Sequence, residues 1–242
     1  MTEPGTHVLS PLVDVLARLP VPVAGLYAVG DGYLAVLDER PDGAVAAAIG
    51  ELHADLRAAG ADPAALTGAW AVRADLASPM ALGRRWWSVS PDRDPAALDA
   101  RANTAVRRWL LRHRSTTVLG PDPVGLVAPV PQAVLAAEGL GLARTRGEAV
   151  EDDPTLLDDA AERRALVVEL AVAARAAAEG TVADAGASLR WCREHLEDQG
   201  AALGPDAGPA DVRRFVWEVH ARLGTLVAGG SEPSGRQGGR SD

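Results

Sequence analysis

Apolar positions recur along the chain with two different periods, and the change from one to the other divides it. Over residues 8–19, VLSPLVDVLARL, Leu12, Val15, Leu16 and Leu19 fall on one face of a short helix; Ser10 is placed to cap it, Pro11 suits its first position, and Pro20 and Pro22 stop it. The stretch VAGLYAVGDGYLAVLDE (residues 23–39) is dense in Val, Leu and Tyr and bounded by Gly and by RPDG, which predicts one or two strands. Residues 44–60 return to the helical period with Val45, Ile49, Leu52 and Leu56 inward and Gly60 as the stop, and LTGAWAV (residues 66–72) reads as another strand. A helix is expected over residues 95–114, starting at Pro95 after an Asp94 cap, with Leu98, Ala102, Ala105, Val106, Trp109 and Leu110 on its apolar side. TTVLGPDPVGLVAPVP (residues 116–131) is an irregular Pro/Gly connection.

Everything after it is helical. Helices are predicted from about Gln132, over residues 160–179 and over 186–198, and a last one carries Val212, Phe215, Val216, Val219, Leu223 and Leu226 as a clean stripe. The fold class is therefore α+β, a small mixed unit followed by a helical bundle. The charged, turn-rich window GLARTRGEAVEDDP sets the expected domains at 1–145 and 146–229, and the tail 230–242 has nothing to bury and is expected to be disordered.

The 242 residues, 48% of them hydrophobic, suffice for a sizeable core. A formal charge of -9 argues against nucleic acid or an anionic membrane as partner. All 24 basic residues are Arg, which removes Schiff-base chemistry and the P-loop Lys. Cys192 stands alone, the five His are scattered without zinc-site spacing, no apolar run spans a membrane, and the N-terminus lacks a signal-peptide pattern; a cytoplasmic protein is the expectation.

Three stretches resemble the aminoglycoside adenylyltransferases that modify streptomycin and spectinomycin. VLGPDPVGLVAPVPQAVL (residues 118–135) is similar to the family's Gly-Pro segment, its Val-Pro dipeptide and the helix after it. Residues 163–196 resemble, without a gap, the helix that opens on Arg-Asn, its turn, and the Ala-rich helix carrying a Trp, with Arg164, Gly180 and Trp191 in register. Residues 34–56 and 66–76 resemble the catalytic strand, its helix and the next strand. The resemblance implies a truncated nucleotidyltransferase-like domain followed by a C-terminal helical domain. It also implies ATP and Mg as cofactors, and transfer of AMP to an aminocyclitol hydroxyl.

That chemistry uses a Gly-Ser turn, an Asp-x-Asp pair whose carboxylates share one strand face to clamp Mg²⁺, and a third carboxylate on the adjacent strand. By the resemblance Asp31 is the first carboxylate, both catalytic and metal-binding, while Tyr33 takes the place of the second and Thr67 that of the third. A nucleotide-facing Ser-Lys pair is replaced by Asp184 and Ala185, and the turn is shortened. Adenylyl transfer is accordingly expected to be impaired, with Asp38 or Glu39 as the candidates to replace a missing carboxylate. The bland reading of Asp31, between two glycines, is a turn-former. For a polycationic sugar the resemblance offers Asp158, Asp159 and Glu162 just before the long helix, with Trp87, beside Trp86, as a stacking wall; helix-start electrostatics account for the same acids. The alternative function is a non-catalytic pseudoenzyme that binds a cationic small molecule or a protein partner.

Overall fold

The computed structural model describes residues 9–229 except 31, 80–81, 91–92, 100–101, 197–202 and 205–206, and the chain divides into two compact units, one up to Val130 and one from Pro131. The expected tail 230–242 lies outside the described residues.

The first unit opens with helix α1 (Ser10–Leu16), which buries Leu12, Val15 and Leu16 as the periodicity predicts. Ser10 is inside the helix rather than capping it; Leu9 holds the cap position without a side-chain bond. The following stretch forms two strands, β1 (Val23–Val29) and β2 (Gly32–Leu37), paired antiparallel from Val29 opposite Gly32. Only two residues close this hairpin, and Gly30 sits at φ 59°, a left-handed conformation that glycine adopts without strain. Asp42 caps helix α2 (Gly43–Ala58), its carboxylate accepting from the amides of Ala44 at 2.9 Å and Val45 at 3.0 Å. A short turn α3 (Pro63–Leu66) leads to β3 (Gly68–Val72), which runs parallel to β2 as a β-α-β crossover requires.

After a turn α4 (Arg73–Leu76), strands β4 (Trp86–Ser90) and β5 (Arg93–Asp99) form an antiparallel pair. The helix expected over 95–114 is therefore half strand. Pro95 is tolerated because β5 is the sheet's edge, where a missing N–H costs no ladder bond, and pairing with β4 overrides the helical propensity of Ala-Ala-Leu. Asp94 accordingly lies within a strand, not before a helix. The true helix, α5 (Ala105–Arg114), starts ten residues later under a Thr104 cap. Part of the connection expected to be irregular pairs with β1 as β6 (Thr116–Leu119), before a short α6 (Pro123–Leu126). The six-stranded sheet has the order β5-β4-β3-β2-β1-β6.

Each face of the sheet has its own core. Leu26, Tyr33, Ala35, Leu37 and Trp70 pack with α1 and α2, while Tyr27, Leu34, Val36, Ala69 and Trp86 pack with Leu76, Ala102 and Leu111. The alternation along β2 is the period-2 pattern read from the sequence.

The second unit is a helical bundle of α7 (Gln132–Asp152), a 3-10 turn Pro154–Leu157, α8 (Ala160–Glu179), α9 (Ala185–His195) and α10 (Pro209–Gly229). Residue 145, the expected end of the first domain, falls within the continuous helix α7, so the compact units part earlier, at Val130. The charged residues of that window belong to a helix that also buries Ala143 and Val150. Alanines of α8 pack at close range against Phe215, Val216 and Val219 of the predicted stripe. Gly180 ends α8 at φ 68°.

Candidate functional site

A carboxylate pair that clamps a metal on a strand must occupy positions i and i+2. One face of β2 carries Tyr33, Ala35 and Leu37, and the other carries Gly32, Leu34 and Val36, so neither face holds a carboxylate. Asp31, the expected first ligand, lies outside the described residues.

Tyr33 is turned into the core beneath α2. Its hydroxyl lies 2.5 Å from His53 Nε2 and accepts the Trp70 indole N–H at 3.1 Å, so the hydroxyl donates its own proton to His53 Nε2. The Tyr33 and His53 rings are parallel to within 8°, and Trp70 meets them edge-on. Gly68 stands opposite Tyr33 on β3, and any side chain there would collide with the phenol ring. Burial raises the Tyr33 pKa and pushes His53 down to about 4, with the nearby Arg57 adding to the second effect. A phenol so held stays neutral and cannot serve as a metal ligand.

The remaining expected donors do not assemble either. Thr67 uses its carbonyl to accept the Tyr33 N–H at 3.0 Å. Asp38 pairs with Arg73 at 2.9 Å, and Glu39 is exposed. Among the described residues no three His, Cys, Asp or Glu side chains could hold one metal ion together. Among the described residues the donor set therefore does not fit Mg-ATP. Asp184, where the resemblance expects a phosphate-facing pair, caps α9 through the Ala187 amide at 2.8 Å.

A different polar cluster closes the end of the sheet. Asp75 is buried, with Arg84 Nη1 at 3.0 Å from Oδ1 and Arg40 Nη2 at 3.3 Å from the same oxygen. Asp75 lines a cavity of about 130 Å³ together with Arg40, Arg85, Trp70, Trp86 and Trp87. Trp87 is thus a wall of a small cavity, as a stacking role needs, but its charged neighbours are mostly arginines, the wrong sign for a polycation. The sequence reading did not single out Asp75; an acid between Ala and Leu directly after a buried strand was the available signal.

In the helical unit Asp159 caps α8, accepting from the amides of Ala161 at 2.6 Å and Glu162 at 3.1 Å. Asp159 and Glu162 line a concavity of about 860 Å³ with Arg146, Glu169, Leu156 and Leu166. Asp158 is exposed beside it, its backbone carbonyl held by Arg163. Two of the three expected acids share one groove and the third adjoins it in sequence. Cys192 is buried, with its thiol pushed up to about 12 by desolvation, an inert core position.

A spectinomycin adenyltransferase, AAD(9), from Enterococcus faecialis, whose crystal structure contains ATP and spectinomycin, superposes with a TM-score of 0.60 at 12% identity, over 92% of this chain and 97% of that one. The chain has that enzyme's fold. At 12% identity the fold alone is what is shared. No family model matches the sequence, and no curated protein matches it. Among the described residues no helix is long and apolar enough to cross a membrane.

Proposed function

We propose that this chain is an aminoglycoside-adenylyltransferase-like protein in which AMP transfer from Mg-ATP to an aminocyclitol hydroxyl is impaired, and that it acts by binding a cationic aminoglycoside-like ligand. The observation that carries the first half is β2 itself, whose two faces offer a buried phenol and aliphatic side chains where the reaction needs paired carboxylates. Electrostatic stabilisation of the transferring phosphoryl group is the main service an enzyme of this kind provides, and loss of one such element can cost about 10² to 10³ in rate. The second half rests on Asp159 and Glu162, which bring two carboxylates to the rim of a groove wide enough for a sugar-sized ligand. ATP and spectinomycin bound to the enzyme of like fold support the class of ligand.

Thermal denaturation of the full chain with spectinomycin or streptomycin, with and without Mg-ATP, tests this reading. A ligand at 100 times its dissociation constant stabilises by about 2.7 kcal/mol. The proposal expects a shift with antibiotic alone and no further shift with Mg-ATP. Indifference to both antibiotics removes the binding half of the proposal, and a Mg-ATP-dependent shift removes the other.

A further inference from the structure

We infer that the cavity at the end of the sheet, between Trp70, Trp86, Trp87 and Asp75, is a binding site for a small planar organic anion, an aromatic carboxylate of about benzoate size. The inference is independent of the antibiotic reading and concerns the other unit.

Size limits the ligand first. Sites for drug-sized molecules run to about 300–1,000 Å³, whereas this cavity measures about 130 Å³, room for a single ring. Shape and lining come next: three indoles present flat, polarisable surface, the surface on which a planar ring stacks best.

Charge then selects the sign. Asp75 is the one carboxylate among the lining residues, and it is already bracketed by Arg40 and Arg84. Arg85 also lines the cavity, and among the described residues it has no carboxylate partner, so the lining carries two guanidinium groups against one carboxylate that Arg84, from outside the lining, helps to neutralise. In a chain with 33 acids against 24 arginines this local excess runs against the background. A cation entering here would meet net repulsion, and an anion meets guanidinium groups suited to a carboxylate in geometry as well as charge.

One orphaned donor points the same way. The Trp86 indole is buried, and its Nε1 has no hydrogen-bond partner among the described residues. Burying such a donor without an acceptor is costly, and Trp86 is a residue of the cavity lining, so a ligand oxygen within reach of Nε1 would satisfy it.

Isothermal titration of the full chain with benzoate, and separately with benzylammonium and acetate, tests the site. Saturable one-to-one binding of benzoate is expected, with benzylammonium and acetate each at least about tenfold weaker because one has the wrong charge and the other no ring. Arg85→Gln should weaken benzoate about tenfold, while Arg85→Lys, which keeps the charge but not the planar fork, should lose less. Arg85 is exposed, so neither change should alter the melting temperature, which is measured alongside. Absence of saturable benzoate binding, equal binding of benzylammonium, or an unchanged affinity in Arg85→Gln would each overturn the assignment.

Discussion

Tyr33 of β2 and His53 of α2 are joined by a 2.5 Å hydrogen bond between buried side chains, and Trp70 completes the network from β3. The position that would need a second metal-binding carboxylate is thus part of the glue between the sheet and its covering helix. A partly satisfied network is worse than none, which makes each member sensitive to change.

Tyr33→Phe leaves the Trp70 N–H and His53 Nε2 without their shared partner. The expected loss is about 1–3 kcal/mol in urea denaturation, with an unchanged slope if the fold persists.

Tyr33→Asp, the substitution that would restore an Asp at this position, is expected to fail as a repair. It would bury a carboxylate among Ala35, Leu37 and Trp70 and leave the His53 ring and the Trp70 N–H without the hydroxyl they share. Denaturation should show a loss of at least about 3 kcal/mol, and Mg²⁺ should not recover it.

His53 makes stability depend on pH. Its folded pKa, about 4, lies below the ordinary 6.5, so between those values the unfolded chain binds the extra proton. Stability is therefore full above about pH 6.5 and falls as pH is lowered toward 4, by up to about 3 kcal/mol at roughly 1.4 kcal/mol per pH unit. Urea midpoints at pH 7 and pH 4.5 measure the fall, and His53→Phe should reduce its slope in that window.

At the start of α8, capping and ligand binding can be separated. Asp159→Asn keeps an oxygen for the Ala161 and Glu162 amides but removes a charge, so stability should change by less than about 0.5 kcal/mol. Combined with Glu162→Gln it should abolish the thermal shift produced by antibiotic. A double variant that binds antibiotic as before would move the ligand site away from these acids.

The helical half was legible because its stripes repeat over many turns: Val212 to Leu223 pointed inward as read, and α8 spans the residues 160–179 read for it. Along β2 the alternation was legible for the same reason. What the sequence concealed depends on pairing between distant segments. Residues 95–99 have the composition of a helix, and only their partners on β4 make them a strand. Trp87 and the acids before α8 stood out by residue type, yet their neighbours gave them different charges to face: arginines around Trp87, carboxylates around Glu162. Asp75 drew no notice because its role comes from Arg40 and Arg84, which lie 35 and 9 residues away.

The most direct test of the account is mass spectrometry of spectinomycin or streptomycin incubated with the full chain and Mg-ATP. The account predicts antibiotic of unchanged mass, or an AMP adduct forming at least about 10²-fold more slowly than one protein equivalent per minute. Multiple turnovers to the adduct within minutes would contradict it, and would require the catalytic carboxylates to come from somewhere other than the faces of β2.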